Sequence, residues 1–202
     1  VTSDVATVAT ANAAAATTAT NIAGSAFTLT TALDNKTLGA GADQAFATDS
    51  TTAADDTFNV SDLVAGGAGE DTFFLTVDSL ASATTYAPSR ITGFEKLSVT
   101  NIDTTPDALT VNTNLMGLSS VEVSASTANV LFTNVTAGSA VSLLGNTSDV
   151  TVTMKNAGLT GTTDSATLDV TGNTGAVVIN SDGVADIELA TITATGTNSG
   201  AL

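Results

Sequence analysis

From about residue 107 onward, apolar residues recur in short triplets set between Asn, Gly, Ser and Thr turns. The triplets are Leu109-Thr110-Val111, Val121-Glu122-Val123, Val130-Leu131-Phe132, Val141-Ser142-Leu143 and Val150-Thr151-Val152, then Leu168-Asp169-Val170, Val177-Val178-Ile179, Ile187-Glu188-Leu189 and Ile192-Thr193-Ala194. Each reads apolar, middle, apolar, the pattern of a strand with one buried face. Their centres through Glu188 advance by about ten residues, apart from one double step between Thr151 and Asp169. A further strand is expected in that gap, near Leu159-Thr160-Gly161. Such a step leaves room only for a turn between strands. Two strands per coil then give a repeat near 20 residues, the signature of a solenoid whose coils cover one another. The predicted fold is all-β: a β-solenoid, of parallel β-roll or β-helix type. A β-sandwich of short antiparallel strands shows turn signals at similar spacing and is the alternative.

Two other segments precede this one. Residues 1–26 are of low complexity, with an Ala-rich run through Ala11-Asn12-Ala13-Ala14-Ala15-Ala16, and read as a linker or the end of an upstream helical region. Val1 at the start, with no secretory signal pattern behind it, is expected of a piece of a longer chain. Residues 27–106 open on the strand-like Phe27-Thr28-Leu29-Thr30-Thr31 and hold most of the Phe and most of the clustered acid. Pro88 and Pro106 read as punctuation between strands.

The chemistry lies in this middle segment. Gly66-Gly67-Ala68-Gly69-Glu70-Asp71-Thr72-Phe73-Phe74 matches the calcium-binding nonapeptide G-G-x-G-x-D-x-U-x residue for residue. Its glycines adopt conformations closed to other residues and aim carbonyl oxygens at one point, while the Asp adds a carboxylate. Ca²⁺ takes 6–8 oxygen ligands, more than one such turn offers, so a neighbouring coil must complete the cage. Two degraded copies stand upstream. Gly39-Ala40-Gly41-Ala42-Asp43 keeps alternating glycines and the acid, and Asp55-Asp56-Thr57-Phe58 keeps the Asp-Thr-Phe end. The candidate metal ligands are Gly39, Gly41, Asp43, Asp55, Asp56, Asp62, Gly66, Gly67, Gly69, Asp71 and Asp78.

Composition sharpens this picture. Hydrophobic residues make up 43% but aromatics only 4%, so the core must come from many short stacked strands of Ala, Val and Leu. A formal charge of −16 excludes nucleic-acid binding and disfavours anionic membranes, while it attracts divalent cations. No apolar run is long enough for a membrane-spanning helix. The chain lacks His and Cys, which removes the commonest general base and the usual zinc ligands and leaves a hard, oxygen-ligated ion as the metal the side chains suit. Asp55-Asp56 has the form of a catalytic carboxylate pair, but no sugar platform accompanies it, so no enzymatic activity is expected. Thr-rich strands such as Thr191-Ile192-Thr193-Ala194-Thr195 read as ordinary outward positions. Asn35-Lys36-Thr37, Asn134-Val135-Thr136 and Asn146-Thr147-Ser148 match the N-glycosylation sequon by composition alone.

The order Gly-x-Gly-x-Asp, Asp56-Thr57-Phe58-Asn59, Gly66-Gly67-x-Gly69-x-Asp71-Thr72 and Ile91-Thr92-Gly93-Phe94-Glu95-Lys96-Leu97-Ser98-Val99 resembles the RTX-type surface-layer proteins of Gram-negative bacteria, such as those of Caulobacter and Campylobacter. The strong part of the resemblance covers about 27–100. It implies type I secretion, calcium-dependent folding outside the cell, a cell-surface location, and self-association into a two-dimensional lattice. It also implies anchoring to lipopolysaccharide through regions outside this chain. A secreted RTX adhesin or surface-binding module is the alternative function. Only the third glycine turn is complete: Ala stands at positions 40, 53 and 54.

Overall fold

The structure, a computed structural model, describes residues 23–105, 108–156, 159, 164–183, 187 and 189–201. The Ala-rich start before residue 23, Pro106, and Thr160-Gly161 of the expected extra strand lie outside them. Among the described residues sixteen strands follow one another: β1 (Ala26–Thr28), β2 (Asn35–Thr37), β3 (Gln44–Asp49), β4 (Leu63–Ala65), β5 (Thr72–Val77), β6 (Thr84–Tyr86), β7 (Ile91–Thr92) and β8 (Lys96–Asn101), then β9 (Leu109–Asn112), β10 (Ser120–Ser124), β11 (Val130–Val135), β12 (Ala140–Leu144), β13 (Val150–Met154), β14 (Ser165–Thr171), β15 (Val177–Ser181) and β16 (Leu189–Thr195).

They form three sheets. The first runs β1-β3-β5-β8-β10-β12-β14-β16, the second β6-β9-β11-β13-β15, and the third β2-β4-β7. Every pairing given between these strands is parallel, from β1 on β3 to β14 on β16. Parallel neighbours joined through another sheet make a β-solenoid of about six turns and exclude the antiparallel sandwich. No helix occurs among the described residues, so none there is long and apolar enough to cross a membrane.

The expected two-strand coil holds from β8 onward, where the chain alternates between the first and second sheets. Before that, the third sheet takes part, and the coil that starts at β5 visits all three. In the double step between Thr151 and Asp169, the next described strand after β13 of the second sheet is β14 of the first. Leu159, between them, is buried, its N–H donating to the Asn156 carbonyl at 3.0 Å.

Alternation decides which side chains meet. In the first sheet Phe73, Leu97, Val121, Val141 and Leu168 stack in one inward column, and Leu75, Val99, Val123, Leu143 and Val170 in the next. Leu109, Val130, Val150 and Val177 face them from the second sheet. Each apolar triplet thus feeds two columns, and one core cluster runs from Leu29 to Val177. Three of its four buried phenylalanines lie in the earlier coils, where Phe58 packs on Phe73 at 6.2 Å and Phe73 on Phe94 at 5.5 Å.

Corners must satisfy the backbone N–H groups left between strands. After the first sheet's later strands, amides and hydroxyls do so. The Asn101 N–H donates to Ser126 Oγ at 2.9 Å, and the Ser126 N–H to Asn146 Oδ1 at 2.9 Å. The Asn146 amide in turn donates to the Val123 carbonyl at 2.9 Å. Asn146 is fully buried in this role, which takes its sequon out of reach of modification.

Candidate metal centre

On the opposite side, the corners entering β3, β5 and β8 are closed by acids. Each of these strands is directly preceded by one: Asp43 before Gln44, Asp71 before Thr72, Glu95 before Lys96. The parallel register aligns Gln44, Thr72 and Lys96, so the three acids stack on successive coils. Asp43 Oδ1 accepts from the Ser25 N–H and, at 2.8 Å, from the Ser25 hydroxyl; its Oδ2 accepts from the Gly39 N–H at 2.7 Å. Asp71 Oδ1 accepts from the Asp43 N–H at 2.7 Å. Glu95 Oε2 accepts from the Asp71 N–H at 2.7 Å. Each carboxylate therefore ties down the coil before it. The backbone and side-chain hydrogen bonds from Ser25 hold the Asp43 carboxyl below its ordinary range, against the opposing effect of burial.

Glycine permits this close stacking. A methyl built on Gly67 would lie 2.1 Å from the Gly39 carbonyl oxygen, and one on Gly69 2.1 Å from that of Gly41. The Ala68 N–H donates to the Gly39 carbonyl at 3.0 Å. At Gly66 the missing Cβ leaves a cradle. Its position is 2.0 Å from the Gly93 carbonyl oxygen and 2.6 Å from Asp71 Oδ2. Asp71 is fully buried, and its Oδ2 has no hydrogen-bond partner. A buried acceptor left unpaired costs roughly 1–3 kcal/mol, more when charged.

The structure thus brings together Gly39, Gly41, Asp43, Gly66, Gly67, Gly69 and Asp71 in one stacked corner. The remaining candidates lie elsewhere. Asp62 sits at the other end of β4, fully buried, its Oδ1 accepting the Asp34 N–H and its Oδ2 the Asn59 N–H, both at 2.9 Å. Asp55 and Asp56 lie in the loop after β3, their N–H groups donating to the Thr52 carbonyl. That loop folds back, so that the Thr57 and Phe58 N–H groups both reach the Thr48 carbonyl at 2.8 Å. The Asp56-Thr57-Phe58 triplet is therefore no counterpart of Asp71-Thr72-Phe73: Asp71 stacks directly on Asp43. Asp78 follows β5, its N–H donating to the Asp49 carbonyl at 3.1 Å. A six-residue strand, roughly 20 Å long, separates Asp55, Asp56 and Asp78 from the glycine corner, and the three-residue β4 separates Asp62 from it.

Asp49 belongs to this far group. Its Oδ2 accepts from the Tyr86 hydroxyl, in a cleft of about 420 Å³ lined also by Ser50, Thr51 and Ser79. Burial, then the charges of Asp56 and Asp78, push its carboxyl up to about 6.

Glu95 is the member of the column that motif reading missed. Its signal was the register: an acid directly before β3, β5 and β8, with Glu95 at the same height as Asp43 and Asp71. Among the described residues no three His, Cys, Asp or Glu side chains converge closely enough to hold a metal alone. The corner offers the Asp71 carboxylate, with that of Asp43 or Glu95 on a neighbouring coil, together with backbone carbonyls. That donor set suits a hard cation such as Ca²⁺ and does not suit zinc or copper. The orphaned Asp71 Oδ2 and the cradle beside it fit such an ion.

Comparison with protein-family models, with curated proteins and with solved structures finds no match for this chain.

Proposed function

We propose that this chain is a calcium-dependent structural protein of the RTX surface-layer type, secreted to a Gram-negative cell surface, where it self-associates into a lattice. The observation that carries the reading is the stacked glycine corner with the unpaired, buried oxygen of Asp71. Ca²⁺ would be held there by Asp71 and the carbonyls of the glycine turns, and would supply the positive charge that an assembly of chains at −16 lacks. A solenoid suits the structural role, since its repeating coils give a rigid rod whose outer faces are free for lateral contacts. The role is structural rather than catalytic: Asp43 and Asp62 are occupied with backbone N–H groups, and the sequence supplies no His or Cys to act as base or nucleophile. Anchoring to lipopolysaccharide would fall to regions outside this chain.

Chelation tests this. Removing calcium with EGTA is expected to disorder the coils from Gly39 to Asp78 and to dissolve assemblies, read by circular dichroism and light scattering. Unchanged spectra and particle size refute the proposal. The adhesin reading draws on the outward hydroxyls of the first sheet, where Thr48, Thr76 and Thr100 stack in one column and the Thr171 and Thr195 hydroxyls meet at 2.6 Å. A calcium-loaded chain that stays monomeric yet binds a glycan array would favour it.

A further inference from the structure

The corner has two sides, and its carboxylates treat them differently. Toward the preceding coil, every acceptor is occupied: Asp43 by Ser25 and Gly39, and Asp71 Oδ1 by the Asp43 N–H. Toward the following coil, Asp71 Oδ2 is buried without a partner. It faces the cradle at Gly66, whose other wall is the carbonyl oxygen of Gly93. Gly93 and Glu95 belong to the same short corner between β7 and β8, and the Glu95 carboxylate is already seated on the Asp71 N–H at 2.7 Å. No cation answers these acids within the chain. Among the described residues the one ion pair is Lys96 with Glu122, at 2.6 Å, so the lysine next to Glu95 is engaged elsewhere.

We infer that the cation of this corner sits on the β8 side of Asp71, between the Gly66 and Gly93 turns, with Glu95 as one of its ligands. The inference rests on the calcium reading above and moves the ion away from Asp43, the acid that the glycine-motif pattern pairs with Asp71. Two carboxylates and the Gly93 carbonyl then converge from two coils, and a divalent ion bridges them. Glu95 would thus be both the backbone clamp seen in the structure and a metal ligand.

The test is isothermal titration of the full chain with calcium chloride, with circular dichroism on each variant. Glu95→Gln keeps an oxygen for the Asp71 N–H and removes only the charge, so the clamp survives. It is expected to weaken calcium affinity about tenfold or more. Asp43→Asn keeps one of its two accepting oxygens and gives up the other, held by Ser25 or Gly39, so circular dichroism first establishes that it folds; its affinity is then expected to change by less than about threefold. If Glu95→Gln binds like the wild type while Asp43→Asn loses binding, the ion lies on the other side and the inference is overturned. If Asp71→Asn also binds like the wild type, the calcium reading itself fails, a distinct outcome. Should Glu95→Gln not fold at any calcium concentration, Glu95→Asp replaces it: weaker but saturable binding supports the inference, and unchanged affinity overturns it.

Discussion

A methyl group added at Gly67 probes the coil stacking on which the metal corner depends. Gly67 has φ +109°, a conformation that L side chains rarely adopt, and its Cβ would fall 2.1 Å from the backbone oxygen of Gly39. Real Cβ contacts essentially never come under 3.0 Å, and a backbone carbonyl cannot swing aside. Gly117 provides the control: its φ is +72° and nothing lies within 4 Å of its Cβ position. The left-handed backbone costs an alanine roughly 1–2 kcal/mol. The gain from stiffening the unfolded chain, about 0.4–1 kcal/mol, is common to both variants. Gly117→Ala should therefore lose about 1 kcal/mol. Gly67→Ala adds the overlap, worth about 1–3 kcal/mol when a packed site is forced apart, and puts the Ala68 to Gly39 hydrogen bond at risk. Its total should reach roughly 3 kcal/mol. Urea unfolding at fixed calcium, followed by circular dichroism, measures both. A lower m-value in Gly67→Ala alone would mean that the N-terminal coils separate first, as expected of a stack held by nearest-neighbour contacts. If the two alanine variants lose the same stability, the coils do not approach as closely as the carbonyl contacts imply, and the cradle at Gly66 falls with them.

Two further predictions concern the other corners. Asn146→Ala removes the acceptor for the Ser126 N–H and the donor to the Val123 carbonyl, leaving both buried backbone groups unpaired; it should cost about 2–5 kcal/mol in urea melts, and a loss under about 1 kcal/mol would deny the ladder its role. Asp49, pushed up to about 6, binds a proton more tightly in the folded chain than in the unfolded one. Without calcium, stability should therefore rise as pH falls through 6 toward 4, and Asp49→Asn should flatten that rise. At lower pH the trend reverses: Asp43 is held low by the Ser25 hydrogen bonds. Asp103 is also held low, by Thr105, Leu80 and Thr104 donors that outweigh its burial. Both lose their stabilising charge as pH falls through their lowered values. A urea midpoint that rises steadily from pH 4 to 8 would contradict this account.

The later coils were legible because each strand carries its own amphipathic triplet. Val121, Val123, Val141 and Leu143 announce buried faces without any knowledge of their neighbours. Strand direction was legible only indirectly: a period of about ten residues fits parallel coils and antiparallel hairpins alike, and the shortness of the strands and the scarcity of large core residues pointed to the parallel solenoid that the fold shows. The third sheet was hidden for a different reason. In β2 the residues Asn35, Lys36 and Thr37 are all exposed, and β7 is only two residues long. Neither carries a pattern, and their extended form comes from pairing with β4. The glycine motif marked the turns at Gly39 and Gly66, which the structure stacks with Asp43 and Asp71 in one corner. It placed Asp55, Asp56 and Asp78 beside them, whereas these acids lie away from that corner, and the loop that folds back on Thr48 left no signal in the sequence.

Both kinds of corner perform one task, handing an acceptor to a backbone N–H of the neighbouring coil. They differ in what remains. An asparagine that accepts through Oδ1 still carries an NH₂, and Asn146 uses it on a carbonyl of its own neighbourhood, so donor and acceptor are matched within the chain. An aspartate has two acceptors and no donor, so every carboxylate in a buried corner needs a second donor from somewhere. Asp43 finds it in the Gly39 N–H and Asp62 in the Asn59 N–H. Asp71 finds none for its Oδ2, and the following coil brings the Gly93 carbonyl oxygen to that side instead of a donor. Two acceptors, Asp71 Oδ2 and the Gly93 carbonyl oxygen, crowd the same point beside Gly66, an arrangement that a cation placed between them would make favourable. The corner at Asn146 is complete as peptide, whereas the corner at Asp71 leaves a buried carboxylate oxygen without a donor, the feature on which the proposed calcium site rests.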